Sequence, residues 1–379
     1  MEKYATFFPQ FQSDPVNDKA WYPGFSDWDL IDKLSSNIKN KFTPSGGYYN
    51  PATHKYMSDL PDKLKLSGID GVAIYHYYFD GKHVLPGVEK SILDTNTDLN
   101  FFFIWANETW TKRWIGRPSD IIIRQTHELD DDKIANHVSY LSPFMKMGGY
   151  KKIDNRPLFI LYNPFAKQNL NIVLEKYRLK FHEHGLDPLI GACVSHISDP
   201  ISLSCYDFLC EFQPRFFFNL SRYGNKRQNL GMKFKALFGD SFETISGTID
   251  RIRRFLPNSR KFYYDDYVAV EMQSLIAESL CYLAEGRPIV RSLFATWNNI
   301  PRYGKAYTEV VSPSDSDFAI EQLSKISSTE MYPLLINSWN EWSEGAAIEQ
   351  AAETNEFAEK LIMSFKGFDD GLDFLESGT

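Results

Sequence analysis

The feature that most constrains the fold is a recurrence: eight short runs rich in β-branched and aromatic residues, most of them separated by amphipathic stretches of helix length. They are Tyr4–Pro9, Gly71–Tyr77, Asn100–Trp105, Pro157–Tyr162, Leu189–Ser195, Phe208–Phe212, Val290–Ala295 and Leu334–Asn337. Strands that alternate with helices imply an α/β fold with a parallel sheet, and eight such units in 379 residues are the arithmetic of a (β/α)8 TIM barrel. Asn169–His184 carries Leu170, Val173, Leu174, Tyr177 and Phe181 at helical spacing and stops at Gly185, a residue suited to a left-handed cap. Ser316–Ser327 and Glu353–Lys366 read as the helices after strands seven and eight. The connection after strand six, about 215–266, is too long for an ordinary βα loop. It reads as an insertion, part helical around Thr244–Phe255, within a single barrel domain spanning residues 1–379.

Charge and cysteine usage narrow the function classes. The net charge of −8 disfavours nucleic acid as a partner, yet Arg215 to Lys261 holds eleven Lys and Arg against three acids, a local balance of +8. That segment is either a solvated face or a site for an anionic ligand such as a charged glycan, a nucleotide-sugar diphosphate or a lipid phosphate. Cys193, Cys205, Cys210 and Cys281 show no paired metal spacing and are too few for a disulfide scaffold. No apolar run approaches the ~18 residues of a membrane span, and the start lacks the pattern of a signal peptide. The expectation is a soluble, cytoplasmic protein without a transmembrane segment. No phosphate-cradling or dinucleotide glycine motif occurs, and His182-Glu-His184 has the wrong spacing for a shared metal, so neither a cofactor nor a metal is expected. Oligomeric state is left open.

The eight tryptophans fall in four windows: Trp21 and Trp28 after strand one, Trp105, Trp110 and Trp114 after strand three, Trp297 after strand seven, and Trp339 and Trp342 after strand eight. Loops after the strands form the catalytic face of such barrels. An aromatic-walled cleft is therefore expected there, since sugar C–H faces stack on indoles while sugar hydroxyls need polar partners. The alternative is that the tryptophans plug the barrel top, each with its N–H partnered.

Chemistry concentrates in Asn337-Ser-Trp-Asn-Glu-Trp-Ser-Glu-Gly345 at the end of strand eight. Glu341 and Glu344 can approach each other in a turn, and burial can split such a pair into a proton donor and a base. Trp339 and Asn340 belong to the same segment. After strand three, Trp105, Asn107, Glu108, Trp110 and Arg113 offer stacking, hydroxyl-binding and charged groups. After strand two, Tyr75 and His76 fall on opposite faces, with Tyr78 beside His76. Gln10, Asn17, Asp18 and Trp28 add to the rim near strand one, Glu211 is a third carboxylate at strand six, and Trp297 and Asn298 follow strand seven. A lone barrel histidine and an isolated carboxylate have structural readings as well.

Taken together, Phe8-Pro-Gln-Phe11, Asn17-Asp18, Gly24-Phe-Ser-Asp-Trp28, Gly46-Gly-Tyr-Tyr49, Gly68-Ile-Asp-Gly71, Tyr75-His-Tyr-Tyr-Phe79, Trp105-Ala-Asn-Glu-Thr-Trp-Thr111, Trp297-Asn-Asn299 and the strand-eight segment resemble the WbsX-type proteins. These are similar to the family-99 glycoside hydrolases, the endo-α-mannosidase group. The resemblance runs from Tyr4 to Gln350 and implies a (β/α)8 barrel. It implies Glu341 as general base and Glu344 as general acid of a retaining, substrate-assisted cleavage that needs no carboxylate nucleophile. Gln12 and Asn298 stand where the WbsX-type pattern usually has His and Asp. The expected function is glycosidic-bond cleavage in a surface polysaccharide or O-antigen-type glycan. A glycosyltransferase of surface-polysaccharide biosynthesis and a non-catalytic glycan-binding protein are the alternatives.

Overall fold

Runs such as Phe101-Phe-Phe-Ile-Trp105 bury every residue, the signature of a parallel strand covered on both faces rather than on one. The computed structural model describes residues 1–95, 97–127, 130–164, 170–197, 200–223 and 259–376. In it the eight runs become β1 (Lys3–Phe7), β2 (Gly71–Phe79), β3 (Phe101–Trp105), β4 (Arg156–Leu161), β5 (Leu189–Val194), β6 (Phe208–Glu211), β7 (in two parts, Ile289–Val290 and Ser292–Phe294) and β8 (Leu334–Asn337). Each pairs in parallel with its sequence neighbours, and β8 pairs with both β1 and β7, so the sheet curls into a nearly closed barrel.

The ring is interrupted only inside β7. The β6–β7 ladder stops at Val290, and from there side chains take over. Glu211 Oε2 accepts from the Ser292 N–H at 2.9 Å and from Arg291 Nε at 2.7 Å, while Arg291 also grips Glu271 at 2.9 Å. Gln213 donates to the other Glu211 oxygen at 2.5 Å. Glu211, expected at the substrate cleft, is instead the fully buried clasp of the barrel, because a ladder that ends early leaves backbone and guanidinium donors that need an anion.

Crossover helices cover the barrel where their capping chemistry permits. Thr53, Asp130 and Asp315 cap the helices His54–Leu66, Asp131–Lys146 and Ser316–Leu323 through their side chains. Leu170–Glu183 buries the five residues expected from its periodicity and ends at Gly185, whose φ is +69°. Among the described residues the β5–β6 connection carries only a 3-10 turn, Pro200–Leu203. Of the basic insertion, Arg215–Tyr223 forms a helix and Arg260–Tyr263 joins a small sheet with Thr308–Val311 and Trp297–Asn298. The helix expected around 244–255 lies outside the described residues.

His76 and Tyr78, two other residues expected at the cleft, belong to the outer layer. His76 is fully buried, with Nδ1 2.7 Å from Glu89 and Nε2 2.7 Å from His137 Nε2. His137 Nδ1 lies 2.8 Å from the Tyr177 hydroxyl, and Tyr140 donates to the second Glu89 oxygen at 2.5 Å. One set of tautomers satisfies every contact: Tyr177 O–H to His137, His137 Nε2–H to His76, and His76 Nδ1–H to Glu89. Tyr78 stacks on His137 at 3.9 Å and donates to the Lys133 carbonyl. The pattern of period two placed these two residues on one face correctly, but that face points away from the cavity.

Two expectations follow from this packing. Replacing Arg291 with Met leaves Glu211 and Glu271 without their cation, a loss of about 3–5 kcal/mol for a broken buried pair; it should appear as a lowered urea midpoint, and an unchanged midpoint would refute the clasp. Burial pushes His137 well below the ordinary histidine pKa and His83 down to about 4. The unfolded chain therefore takes up protons first, and the stability present above pH 6.5 drains away as pH falls from 6.5 towards 4. Wild type should lose Tm across this window more steeply than His137→Gln.

Candidate active site

At the C-terminal ends of the strands lies a cavity of about 220 Å³. Phe8, Gln10, Asn17, Trp21 and Asp27 reach it from beyond β1, and Tyr75 and Tyr77 from β2. Ala106 to Trp114 contribute after β3, Tyr162 after β4, and Phe212 and Arg215 after β6. Arg302 and Tyr303 follow β7, and Asn337 and Glu344 close the ring at β8.

The β8 loop is anchored by its own amides and hydroxyls. Asn340 accepts from the Phe8 N–H at 2.8 Å and donates to the Phe8 carbonyl at 2.9 Å. That bidentate clamp ends β1 at Phe7, two residues short of the expected Pro9, because Phe8 gives its backbone groups to a side chain instead of a strand. Asn337 accepts from Thr6 Oγ1 and donates to the Gln213 carbonyl, tying β8 to β1 and β6. The Glu341 N–H donates to Ser338 Oγ at 2.8 Å, after which Trp342–Glu344 makes a 3-10 turn. Gly345 leaves that turn at φ +59°, where an added Cβ would sit 2.6 Å from the Asn298 carbonyl oxygen, so only glycine fits. The turn swings Glu344 onto the cavity wall and keeps Glu341 behind it, 1% exposed.

Arg302, from the short helix Ile300–Tyr303, lies between the carboxyl groups. Its Nη1 donates to Glu344 Oε1 at 2.6 Å; Nη2 reaches Asp27 Oδ2 at 2.9 Å, Glu341 Oε1 at 3.1 Å and Gln10 Oε1 at 3.2 Å. Its guanidinium carbon rests 4.6 Å from the Trp114 ring centroid. One cation cannot neutralise three buried carboxylates, so the weakest acid keeps its proton. Burial raises Glu341 to about 8, with Arg302 opposing and Glu344 and Asp27 adding to the rise. Hydrogen bonding agrees. Ser343 Oγ lies 2.5 Å from Glu341 Oε1 and 2.8 Å from Asp27 Oδ2, and its single proton serves only one of them. With Ser343 donating to Asp27, a protonated Glu341 donates to Ser343, and the buried, unpartnered Oε2 becomes a neutral carbonyl oxygen.

Of the residues expected at the site, Gln10, Asn17, Tyr75, Glu108, Trp110, Arg113 and Glu344 line the cavity. Glu341 lies behind the wall and is joined to it through Arg302, and the others serve the frame. Asn107 ties the loop after β3 to Asn163 and His127, Asp18 accepts from the Gly24 N–H, and Asn340 forms the clamp on Phe8. Trp28, Trp105 and Trp339 direct their N–H groups to the Tyr49 carbonyl, the Tyr78 carbonyl and the Tyr56 hydroxyl. Trp297 and Asn298 border a separate cavity behind the Trp342–Gly345 turn. Of the tryptophans, Trp21, Trp110 and Trp114 belong to the cavity wall, with Trp21 and Trp114 near-parallel at 6.3 Å, while Trp28, Trp105 and Trp339 plug the barrel top.

Tyr77 joins Tyr75 from the same face of β2, while Arg302, Asp27, Tyr162 and Tyr303 also line the cavity without a role that the sequence assigns them. Asp27 lies inside the Gly24–Trp28 motif and was legible from it, whereas Arg302 lies beyond any motif.

The charge state of Glu341 is testable. Its folded pKa of about 8 lies above the ordinary 4.5, so folding holds a proton that the unfolded chain releases between those values. The group costs nothing below pH 4.5 and its full penalty above pH 8. Glu341→Gln should be more stable than wild type at pH 8, by a margin that disappears near pH 4.5; a margin independent of pH would contradict the buried acid.

Comparison with known proteins agrees with this architecture. The uncharacterized protein WxcX of Xanthomonas campestris pv. campestris, in strains B100 and ATCC 33913, is 25% identical over 362 residues, covering 92% of this chain and 47% of WxcX. The chain therefore spans about half the length of the curated relatives it matches. A solved structure described as a glycoside hydrolase-like protein superposes with a TM-score of 0.52 at 11% identity, covering 97% of this chain and 93% of that one, and supports the barrel fold. The family-99 endo-α-mannosidase from Bacteroides thetaiotaomicron gives 0.49 at 10% identity, covering 97% of this chain and 98% of that one. Among the described residues no helix is long and apolar enough to cross a membrane. The profile named glycosyltransferase WbsX matches residues 3–358, nearly the whole barrel described above, and the chain belongs to that family.

Proposed function

We propose that this barrel is a glycan-processing enzyme that cleaves a glycosidic bond in a surface polysaccharide or O-antigen-type glycan, with Glu344 and Glu341 as its carboxyl pair. The observation that carries the reading is Glu344 on the wall of an aromatic-lined cavity, bridged through Arg302 to a second, buried carboxyl group. Trp21, Trp110 and Trp114 supply stacking faces, while Gln10, Asn17 and Glu108 supply hydroxyl partners. In this reading Glu344 protonates the leaving oxygen and Glu341 is its basic partner. Acid–base cleavage of this kind needs one proton on the pair at working pH. At rest that proton sits on Glu341, so it must pass to Glu344 when substrate displaces Arg302 from the latter.

Transfer to an acceptor sugar is the second reading, favoured by the family's description as a glycosyltransferase. It would use the same pair with a sugar hydroxyl in place of water.

Incubating the source organism's purified surface polysaccharide with wild type, Glu341→Gln and Glu344→Gln, followed by mass spectrometry, tests the proposal. Wild type should release oligosaccharides and each variant should be about 10²–10⁴-fold slower. The wild-type kcat/KM should fall above about pH 8, where the pair loses its proton. No release by wild type, or full activity in both variants, would overturn the assignment; where oligosaccharides are released, their anomericity reports retention.

A further inference from the structure

Two arginines reach deep into the cavity from opposite sides, and they are not equivalent. Arg302 is spoken for: its side chain is 7% exposed and every described contact is with the protein's own carboxyl groups, Gln10 and Trp114. Arg215, the first residue of the helix Arg215–Tyr223, is solvent-accessible within the cavity, and among the described residues it has neither a hydrogen-bond nor an ion-pair partner. What holds it is aromatic. Its guanidinium carbon lies 6.0 Å from the Tyr162 ring centroid and 5.6 Å from that of Phe212, and both rings also line the cavity.

We infer that Arg215 is the anchor of a subsite for the carboxylate of an acidic sugar, a hexuronic acid unit of the glycan; the inference rests on the glycan-processing reading above. A guanidinium that lies against aromatic rings is fixed in orientation and still presents its donors, the geometry suited to a planar carboxylate. Tyr162 and Phe212 also offer apolar faces beside it for a pyranose ring. Glu108, across the same cavity, has its carboxyl group raised by burial against the pull of Arg215 and Arg113. It suits a sugar hydroxyl and opposes a multiply charged anion. At about 220 Å³ the cavity is below the ~300–1,000 Å³ of pockets for drug-sized ligands. That favours one sugar ring with its single negative charge over a nucleotide diphosphate.

Ligand-observed NMR titrations separate these possibilities without relying on turnover. Methyl glycosides of glucuronic, galacturonic and mannuronic acid are compared with those of the matching neutral hexoses, with uridine diphosphate as a third probe. At least one uronoside should bind about tenfold more tightly than its neutral counterpart. Arg215→Gln should remove that preference and leave neutral-hexoside binding within about twofold, which also certifies the fold. Arg215→Lys, which keeps the charge without the planar fork, should retain only part of it. Equal binding of acidic and neutral glycosides, or a preference that survives in Arg215→Gln, overturns the subsite but not the glycan reading. Uridine diphosphate binding that depends on Arg215, with no uronoside preference, overturns it in favour of a donor-phosphate site. Failure of every saccharide to bind overturns both.

Discussion

The architecture of the cavity-bearing face depends on one buried cation and the carboxyl groups around it. Arg302 comes from the helix after β7, Asp27 from the loop after β1, and Glu341 and Glu344 from the loop after β8. None of these groups is stable in that position alone, since a buried charge without a partner is expensive. Together they lock three loops that are remote in sequence. The lock also sets the protonation state, because a single guanidinium cannot offset the burial and mutual repulsion of three carboxyl groups, and Glu341, raised by burial, keeps the proton.

A second charged clasp, Glu211 with Arg291 and Glu271, works within the barrel wall. It sits where the β6–β7 ladder gives out and replaces missing backbone pairing with side-chain hydrogen bonds. The two clusters have similar composition and different purposes: the Arg302 cluster borders a cavity, and the Arg291 cluster is sealed in the wall. The histidine chain from Glu89 to Tyr177 is a third polar network, buried between barrel and outer helices, satisfied by an ordered sequence of neutral tautomers. Its cost appears only on acidification.

The aromatic residues divide in the same way. Indoles whose N–H finds a backbone carbonyl or hydroxyl, as in Trp28, Trp105 and Trp339, become filler for the barrel top. Those that line the cavity instead belong to the layer just outside it. Trp21 and Trp114 stack together, and Trp110 packs edge-on against Tyr77 and Phe79. Clustering of tryptophan along the chain therefore marks the correct end of the barrel without distinguishing wall from plug.

By itself the sequence determined the barrel, because the strands are short, mostly apolar runs separated by helix-length stretches, and local periodicity is enough to read them. It also determined which end bears the cavity and that Glu344 lies there, since the Asn337–Gly345 segment directly follows a strand and Gly345 must turn. Only the tertiary structure decided the partners. Arg302 lies 39 residues from Glu341 and 275 from Asp27, separations over which no motif or period has meaning. His76 and Glu211 look as reactive in one dimension as Glu108 does. What separates them is burial beside a complementary group contributed by a distant segment, His137 in one case and Arg291 in the other. Charge pairing inside a fold is a property of three-dimensional neighbours, and the sequence specifies those neighbours only through the completed barrel.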